Sequence, residues 1–304
     1  MVFTIIVTYN GSAWIRKALQ SIIKQSEVIV IDNASTDNTI AIIEEEFSEV
    51  TLLKKNKNLG FGQANNLGIA MALKAGASYI FLMNQDVYVL PQAINILREA
   101  IVNINDIGVC SPLHYDGNGK KLDRLFNSYI SGNKDLVKGI SNNHFDQNLY
   151  NVGFINAAAW FMKSEVFEKI GGFDPIFFHY GEDENFIQRL YYNNYKTVVA
   201  PKAVIIHDRQ DRKQIKEDLF SNNYIKKWEK HLKVTYANPN IKCDLKKRAT
   251  KEKYKFYKLC IKFFIRGDFK RGKRYWSLKT KVKPLFDEIR ISKNLSKSHK
   301  DFYL

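Results

Sequence analysis

Short apolar, β-branched runs alternate with stretches of helical period through roughly the first 210 residues. Residues 3–8 form the first run and stop at Tyr9-Asn10-Gly11, and residues 13–24 follow with Trp14, Ala18, Leu19, Ile22 and Ile23 at helical spacing. Residues 28–31 form the second and stop at Asp32-Asn33, after which Ser35 and Asp37 offer capping side chains to a helix over 39–47. A third strand at 50–53 leads into a loop of glycines and amides (Asn58, Gly60, Gly62, Asn65, Asn66) that opens a helix over 67–75. The fourth run, 79–83, halts at Asn84-Gln85-Asp86, and Pro91 stands in the first turn of a helix to about residue 104. Strand, helix, strand, helix is the alternation that builds a parallel sheet. Four strands then end in polar side chains at one edge, the edge where open α/β folds bind ligands.

The pattern loosens further on. Residues 108–111 read as a fifth strand, and 116–151 turn polar and irregular, which predicts a mobile insertion or else a pair of edge strands. Apolar character returns over 154–162, and Ser164 caps a short helix ending at Gly171-Gly172. Glu182-Asp183-Glu184 then open a helix continuing through Phe186, Leu190 and Tyr191, where carboxylates complement the positive end of the helix dipole. Two short strands, 197–200 and 204–206, follow, the second ending at His207-Asp208. Beyond residue 209 the pattern is helical and basic, with Tyr224, Trp228, Leu232, Tyr254, Tyr257, Cys260, Ile261 and Phe264 on repeating faces.

At 304 residues and 45% hydrophobic content the chain buries a full core, and the change of pattern divides it into residues 1–210 and a basic, mainly helical region, 211–304. No apolar run approaches the ~20 residues that cross a bilayer. The start, residues 1–8, is too short and lacks the basic beginning of a signal peptide, so the chain is expected in the cytosol. Cys110, Cys243 and Cys260 lack metal-ligand spacing, which fits a reducing compartment and excludes a disulfide frame or a zinc site. The net charge of +16 is unevenly placed: 29 Lys and Arg face 10 Asp and Glu from residue 209 on, against 18 and 21 before it. Such a segment suits nucleic acid, an anionic membrane or a polyanionic partner. No zinc-finger, helix-turn-helix or RNA-recognition signature accompanies the charge, so no nucleic-acid partner is expected.

Five motifs, in this order, resemble those of the family 2 glycosyltransferases: Ile6 to Asn10; Val30 to Asp37; Asn58-Leu59-Gly60-Phe61-Gly62 with Asn65-Asn66; Asn84-Gln85-Asp86; and Gly171 to Asp174 through Glu182-Asp183 to His207. The resemblance covers roughly residues 3–210. It implies a GT-A (nucleotide-diphospho-sugar transferase) fold of the α/β class, a mostly parallel sheet flanked by helices, here with a basic helical C-terminal extension. It also implies metal-dependent, inverting transfer of a sugar from a nucleotide-diphosphate donor, TDP-rhamnose or a UDP-hexose, to a hydroxyl of a glycan or lipid-linked acceptor in bacterial surface-polysaccharide synthesis. The pattern is most similar to rhamnosyltransferases, whose strand ends in Leu-Asn-Pro-Asp; here Met83-Asn84-Gln85-Asp86 has Gln for Pro, and Asn84 replaces the first Asp of the common Asp-x-Asp form. Asn156-Ala157 stands where many relatives have Gly-Ala.

The chemistry assigns roles. A donor diphosphate must be held and made a leaving group, which a hard divalent cation, Mg²⁺ or Mn²⁺, accomplishes through oxygen ligands. Asp86 is the expected ligand, with Asn84 assisting, and the resemblance adds His207. It likewise implies donor contacts from Thr8, Tyr9, Asn10, Asp32, Asn33, Gly60, Asn65, Asn66, Asn84, Gln85 and Asp86, with Asp32 and Tyr9 at the base. Asn65 and Asn66 would open a helix whose backbone donors face ribose or phosphate. Inversion is one in-line displacement, so the acceptor hydroxyl needs a base: Asp183, with Glu182 orienting it and Glu184 facing solvent. The stretch 116–151 would then lie on the acceptor side. The rival enzyme class, a sugar nucleotidyltransferase, carries a Gly-rich, Arg- or Lys-bearing loop after its first strand, where Thr8-Tyr9-Asn10-Gly11 stands here. In the tail, 262–266 and 273–276 mix cations with aromatics, which predicts docking at the anionic inner face of the plasma membrane, or alternatively a homodimer contact.

Overall fold

The computed structural model describes residues 1–209, 222–297 and 303–304. They fall into two compact units, one of residues 1–209 with 303–304 and one of residues 222–297. The expected boundary between 210 and 211 lies outside the described residues.

In the first unit nine strands form one sheet: β1 (Val2–Thr8), β2 (Glu27–Asp32), β3 (Thr51–Lys54), β4 (Tyr79–Asn84), β5 (Val87–Val89), β6 (Ile107–Asp116), β7 (Tyr150–Asn151), β8 (Ala159–Lys163) and β9 (Lys196–His207). Their order is β3-β2-β1-β4-β8-β6-β9-β5, with β7 also on β9. The first four in that order are mutually parallel; β8 runs antiparallel to β4 and β6, and β9 lies parallel to β6 and antiparallel to β5 and β7.

The inner strands are apolar at every position because both faces are covered. Successive side chains go to opposite sides: Ile6, Val28, Val30, Phe81 and Met83 to one core, Ile5, Ile29, Ile31, Ile80 and Leu82 to the other. Helices α1 (Ile15–Ile22), α2 (Thr39–Glu46) and α4 (Ala93–Ile101) supply the first core. Helices α3 (Phe61–Lys74), α7 (Ser164–Ile170) and α8 (Glu182–Tyr192) supply the second. Two further helices, α5 (Arg124–Ile130) and α6 (Lys134–Asn142), pack with β7 around Leu113, Phe126, Ile130, Leu136, Tyr150 and Val152.

That last group corrects the expectation of an irregular insertion over 116–151. The helices are short, and their apolar positions (Phe126, Ile130, Leu136) are diluted by Asn, Gly and Lys, so periodicity is faint. Their start signals are nevertheless present: Asp123 accepts from the Phe126 N–H at 2.8 Å and Asn133 from the Leu136 N–H at 3.0 Å. The two strands expected at 197–200 and 204–206 are one strand, β9, with a register shift against β6 between Pro112 and Leu113. Ser164 does not cap α7; its hydroxyl donates to the Ala77 carbonyl. Helix α3 begins at Phe61, not at residue 67, with Gly60 as its N-cap at φ +79°.

The second unit comprises α9 (Asn222–Tyr236), α10 (Leu245–Ile265) and α11 (Phe269–Leu295), closed around Trp228, Leu232, Phe256, Leu278, Val282, Leu285, Phe286 and Ile289. Among the described residues no helix is long and apolar enough to cross a membrane.

Candidate active site

Parallel register brings the strand ends level. Thr8 pairs with Asp32, Val7 with Asn84, and Asp32 with Lys54, so the polar residues after β1, β2 and β4 share the carboxyl edge. Asp32 is fully buried; its Oδ2 accepts from the Ser35 N–H at 3.0 Å, while its Oδ1 is buried without a hydrogen-bond partner. A buried carboxylate oxygen left unmatched is costly, so this atom suits a ligand N–H. The Tyr9 side chain lies at the same strand end and is 47% exposed.

Several expected donor residues also hold the edge together. Gln85 Oε1 accepts from the Thr8 hydroxyl at 2.7 Å and from the Tyr9 N–H at 2.9 Å, so the residue standing in place of proline clamps β1 to the end of β4. Asn10, at φ 48°, accepts from the Thr36 N–H at 2.8 Å and donates its own N–H to the Ser35 hydroxyl at 2.9 Å. Asn33 Oδ1 accepts from the Leu59 N–H at 2.7 Å and its Nδ2 donates to Asn58 Oδ1 at 3.0 Å, which docks the 58–60 loop on β2. A Cβ on Gly60 would fall 1.9 Å from the Phe178 carbonyl, so only glycine allows this approach.

Because α3 starts at Phe61, Asn65 and Asn66 sit inside the helix rather than opening it. Asn65 Nδ2 donates to the Phe61 carbonyl at 3.0 Å. Asn66 donates to the Phe173 carbonyl at 2.8 Å and accepts from the Phe173 N–H at 2.7 Å, pinning the 171–174 turn against α3. Asn66→Ala leaves both buried backbone groups unmatched and is expected to cost about 2–6 kcal/mol of stability, at 1–3 kcal/mol per unmatched group. Urea unfolding checks this; a loss under ~1 kcal/mol refutes the fastening role.

Asp86 and His207 meet. Val87 pairs with His207 across β5 and β9, the Asp208 N–H donates to the Asp86 carbonyl at 2.8 Å, and Asp86 Oδ1 lies 3.4 Å from His207 Nε2. The imidazole is buried and the carboxylate is 24% exposed, so the pair opens outward through Asp86. Asn84 ends β4 two residues earlier, and its side chain is partly exposed. Among the described residues there is no group of three or more His, Cys, Asp and Glu able to hold a metal. Of the three residues expected as ligands, the Asp86 carboxylate and the His207 imidazole are thus in contact, and Asn84 stands two residues before Asp86 in the chain.

Three nearby groups escaped sequence reading. His114, at the end of β6, is fully buried, stacked on Phe126 at 4.4 Å, joined to the Ser111 hydroxyl at 3.0 Å and edge-on to His207 with ring centres 6.0 Å apart. Burial first, then the neighbouring His207 and Arg209, push its pKa well below the usual imidazole value. Arg209 donates to Asp123 at 2.7 Å, tying the end of β9 to the cap of α5. Tyr129 of α5 packs edge-on against Phe154 with ring centres 5.0 Å apart. Its hydroxyl pKa is raised, by burial first and then by Asp183, with Arg209, Asp123 and Glu184 also in range.

The acidic start of α8 is thus within electrostatic range of Tyr129. Glu182 is buried, Asp183 is half-buried with Oδ1 accepting the Glu184 N–H at 2.8 Å, and Glu184 is half-buried rather than solvent-facing. Beside Tyr129 a cleft of about 730 Å³ is lined by Asn133, Lys134, Asp135, Asn151, Val152 and the two glycines Gly132 and Gly153. Tyr191 of α8 fixes its back wall by donating to the Val152 and Gly153 carbonyls at 3.0 and 2.8 Å.

A mixed sheet, parallel from β3 through β4, with helices on both faces and polar strand ends gathered at one edge is the architecture of the GT-A glycosyltransferases. The family model for glycosyl transferase family 2 matches residues 4–171, and the chain belongs to that family. An N-acetylglucosaminyl-diphospho-decaprenol L-rhamnosyltransferase of Mycobacterium tuberculosis is 28% identical over 228 residues, 67% of this chain and 74% of the relative. The dTDP-rhamnosyl transferase RfbF of Shigella flexneri is 24% identical over 214 residues, 69% of this chain and 70% of the relative. In fold the chain is similar to GalNAc-T7, crystallised with UDP, GalNAc and Mn²⁺, at a TM-score of 0.56 and 15% identity over 77% of this chain; it spans 47% of that longer protein.

Proposed function

We propose that this glycosyltransferase inverts the anomeric centre of a nucleotide-diphosphate sugar while transferring it to a hydroxyl of a lipid-linked or glycan acceptor. The observation that carries the reading is the Asp86–His207 pair, 3.4 Å apart, at the sheet edge where Asp32 keeps an unmatched buried oxygen. The names of the two rhamnosyltransferase relatives favour TDP-rhamnose as donor over a UDP-hexose.

The donor set fits a divalent cation. Asp86, His207 and Asn84 would hold it, leaving other positions to phosphate oxygens and water, as hard cations in nucleotide sites prefer. The imidazole favours Mn²⁺ over Mg²⁺. When bound, the ion neutralises charge on the departing diphosphate. His114, neutral and packed against His207, adds no competing positive charge there.

The chain's own residues do the rest. Asp32 Oδ1 accepts the pyrimidine N–H, and the Tyr9 ring lies beside the base. The acceptor sugar enters the cleft beside Tyr129, and Asp183 takes the proton of its hydroxyl as the new bond forms, with Glu182 orienting it. The turn after β1, clamped by Gln85, offers no cationic triphosphate cradle, which disfavours a nucleotidyltransferase.

Melting curves with TDP-rhamnose and UDP-sugars, with and without Mn²⁺, test the reading, because a ligand of the folded state raises its stability by mass action. One nucleotide sugar is expected to raise the melting temperature, and more so with Mn²⁺. Asp32→Asn keeps an acceptor for Ser35 but turns a donor toward the base, so donor affinity should fall about 10–100-fold, the equivalent of one charged hydrogen bond. No stabilisation by any nucleotide sugar, or an unaltered affinity in the variant, overturns the assignment.

A further inference from the structure

The second unit carries a surface that sugar transfer leaves unexplained. Helices α10 and α11 form a hairpin whose turn is unusually tight. Arg266 ends α10, Gly267 takes φ +76°, the Gly267 N–H donates to the Phe264 carbonyl at 3.0 Å and the Asp268 N–H to the Phe263 carbonyl at 2.9 Å. This is the Schellman arrangement. Asp268 immediately caps α11, accepting from the Arg271 N–H at 3.0 Å. Gly272 lets the hairpin close: a Cβ there would stand 3.0 Å from the Phe264 ring.

On either side of this rigid turn stand the two most exposed large apolar residues of the hairpin, Ile265 at 81% and Phe269 at 61%. Burying such side chains inside the unit would remove them from water, yet the turn holds them out. Behind them one face continues apolar. Ile261, Tyr257 and Tyr254 follow Ile265 at helical spacing on α10, and Trp276 follows Phe269 seven residues along α11; all four are exposed. The two rows share a side of the hairpin, because the Lys279 ammonium lies 3.7 Å from the Trp276 ring centre and 5.0 Å from that of Tyr257.

Cations surround the tip: Lys262, Arg266, Lys270, Lys273 and Arg274, with Arg271 paired at 3.3 Å to Asp268, the single carboxylate there, which also caps α11. A second copy of the same face is a poor occupant, since like charges would oppose at close range. Nucleic acid would satisfy the cations but has no use for a projecting aliphatic side chain. An anionic bilayer satisfies both, the headgroups meeting the collar and the acyl boundary receiving the apolar tip.

We infer that the α10–α11 hairpin is a membrane-docking element that inserts Ile265 and Phe269 into the interface of an anionic bilayer, with Tyr257 and Trp276 at headgroup depth. This goes beyond the transfer reaction and stands whether or not the donor assignment holds. It narrows the expected membrane contact of the basic region to one turn.

Flotation of the full chain with phosphatidylcholine vesicles, with and without phosphatidylglycerol, tests it. Binding is expected on the anionic vesicles and not on the neutral ones. The double variant Ile265→Asp, Phe269→Asp should weaken it about tenfold or more, since both the apolar insertion and the local charge are changed. Because both positions are exposed, the melting temperature should be unchanged. Removing charge instead, with Lys270→Gln and Arg274→Gln, should also weaken binding and make the remainder less sensitive to salt. Equal recovery on neutral and anionic vesicles, or full binding by the Asp variant, overturns the inference. So does capture of an oligonucleotide in preference to vesicles, or a shift of wild-type dimer to monomer in the Asp variant without loss of flotation.

Discussion

Asp86→Ala is expected to lower sugar transfer about 10³-fold, the largest loss from any single side chain on the donor side. A cation bridging a diphosphate stabilises the departing charge by several kcal/mol, and at about 1.4 kcal/mol per factor of ten a loss of ~4 kcal/mol gives that figure. The carboxylate is the only acidic side chain of the three residues proposed to hold the ion, Asp86, His207 and Asn84. The fold should survive. Val87 and His207 still pair across β5 and β9, and the Asp208 N–H still donates to the backbone carbonyl of residue 86. Two measurements separate metal loss from misfolding: the melting temperature without ligand, expected near wild type, and the Mn²⁺-dependent part of donor stabilisation, expected to vanish. A variant that keeps Mn²⁺-stimulated donor binding and turnover would remove Asp86 from the site.

The sheet edge was legible because its signals are local. Each strand end, Thr8-Tyr9, Asp32-Asn33 and Asn84 to Asp86, is an apolar run cut off by polar side chains, and parallel pairing brings such ends level without further information. The pairing of Asp86 with His207 needed more. It depends on β5 and β9 being antiparallel neighbours at the far end of the sheet, an order that runs β4-β8-β6-β9-β5 and is not sequential. The fastening role of the amides is hidden from the sequence for a related reason. Asn33, Asn66 and Gln85 have the composition of ligand-binding loops, but their partners, Asn58 and Leu59, Phe173, and Thr8 with Tyr9, lie 25 to 107 residues away. An amide that fastens two segments and an amide that holds a phosphate look the same until both segments are in place.

Where 116–151 was concerned, dilution rather than distance hid the structure. Helices of seven and nine residues present too few turns for a period to emerge, and only the caps Asp123 and Asn133 announce them. Yet this stretch carries Tyr129 and the cleft, and through Asp123 it holds Arg209 beside the end of β9. On the proposed reading, the acceptor would be met by the least regular part of the chain and the donor by the most regular. Loops and short helices on a rigid scaffold are a common seat of specificity.

Asp183→Asn is the substitution that separates the two sides. Transfer is expected to fall by about 10²–10⁴-fold, the range for loss of a general base, with donor affinity close to wild type. Asparagine is suited to the test because its Oδ1 can still accept the Glu184 N–H that Asp183 accepts at 2.8 Å, so the first turn of α8 is kept. Its amide has no basicity, so proton removal is lost while that hydrogen bond is kept. The kinetic signature follows: kcat and kcat/KM fall together while the nucleotide-sugar melting shift persists. Glu182→Gln offers the internal control. Glu182 is buried and adjoins Gly62, whose added Cβ would lie 3.6 Å from the Glu182 Cβ, so its loss should disturb stability and orientation together. If Asp183→Asn transfers at the wild-type rate while Glu182→Gln loses transfer without loss of stability, the base is Glu182, and the acceptor hydroxyl must approach from the α3 side rather than from the cleft beside Tyr129.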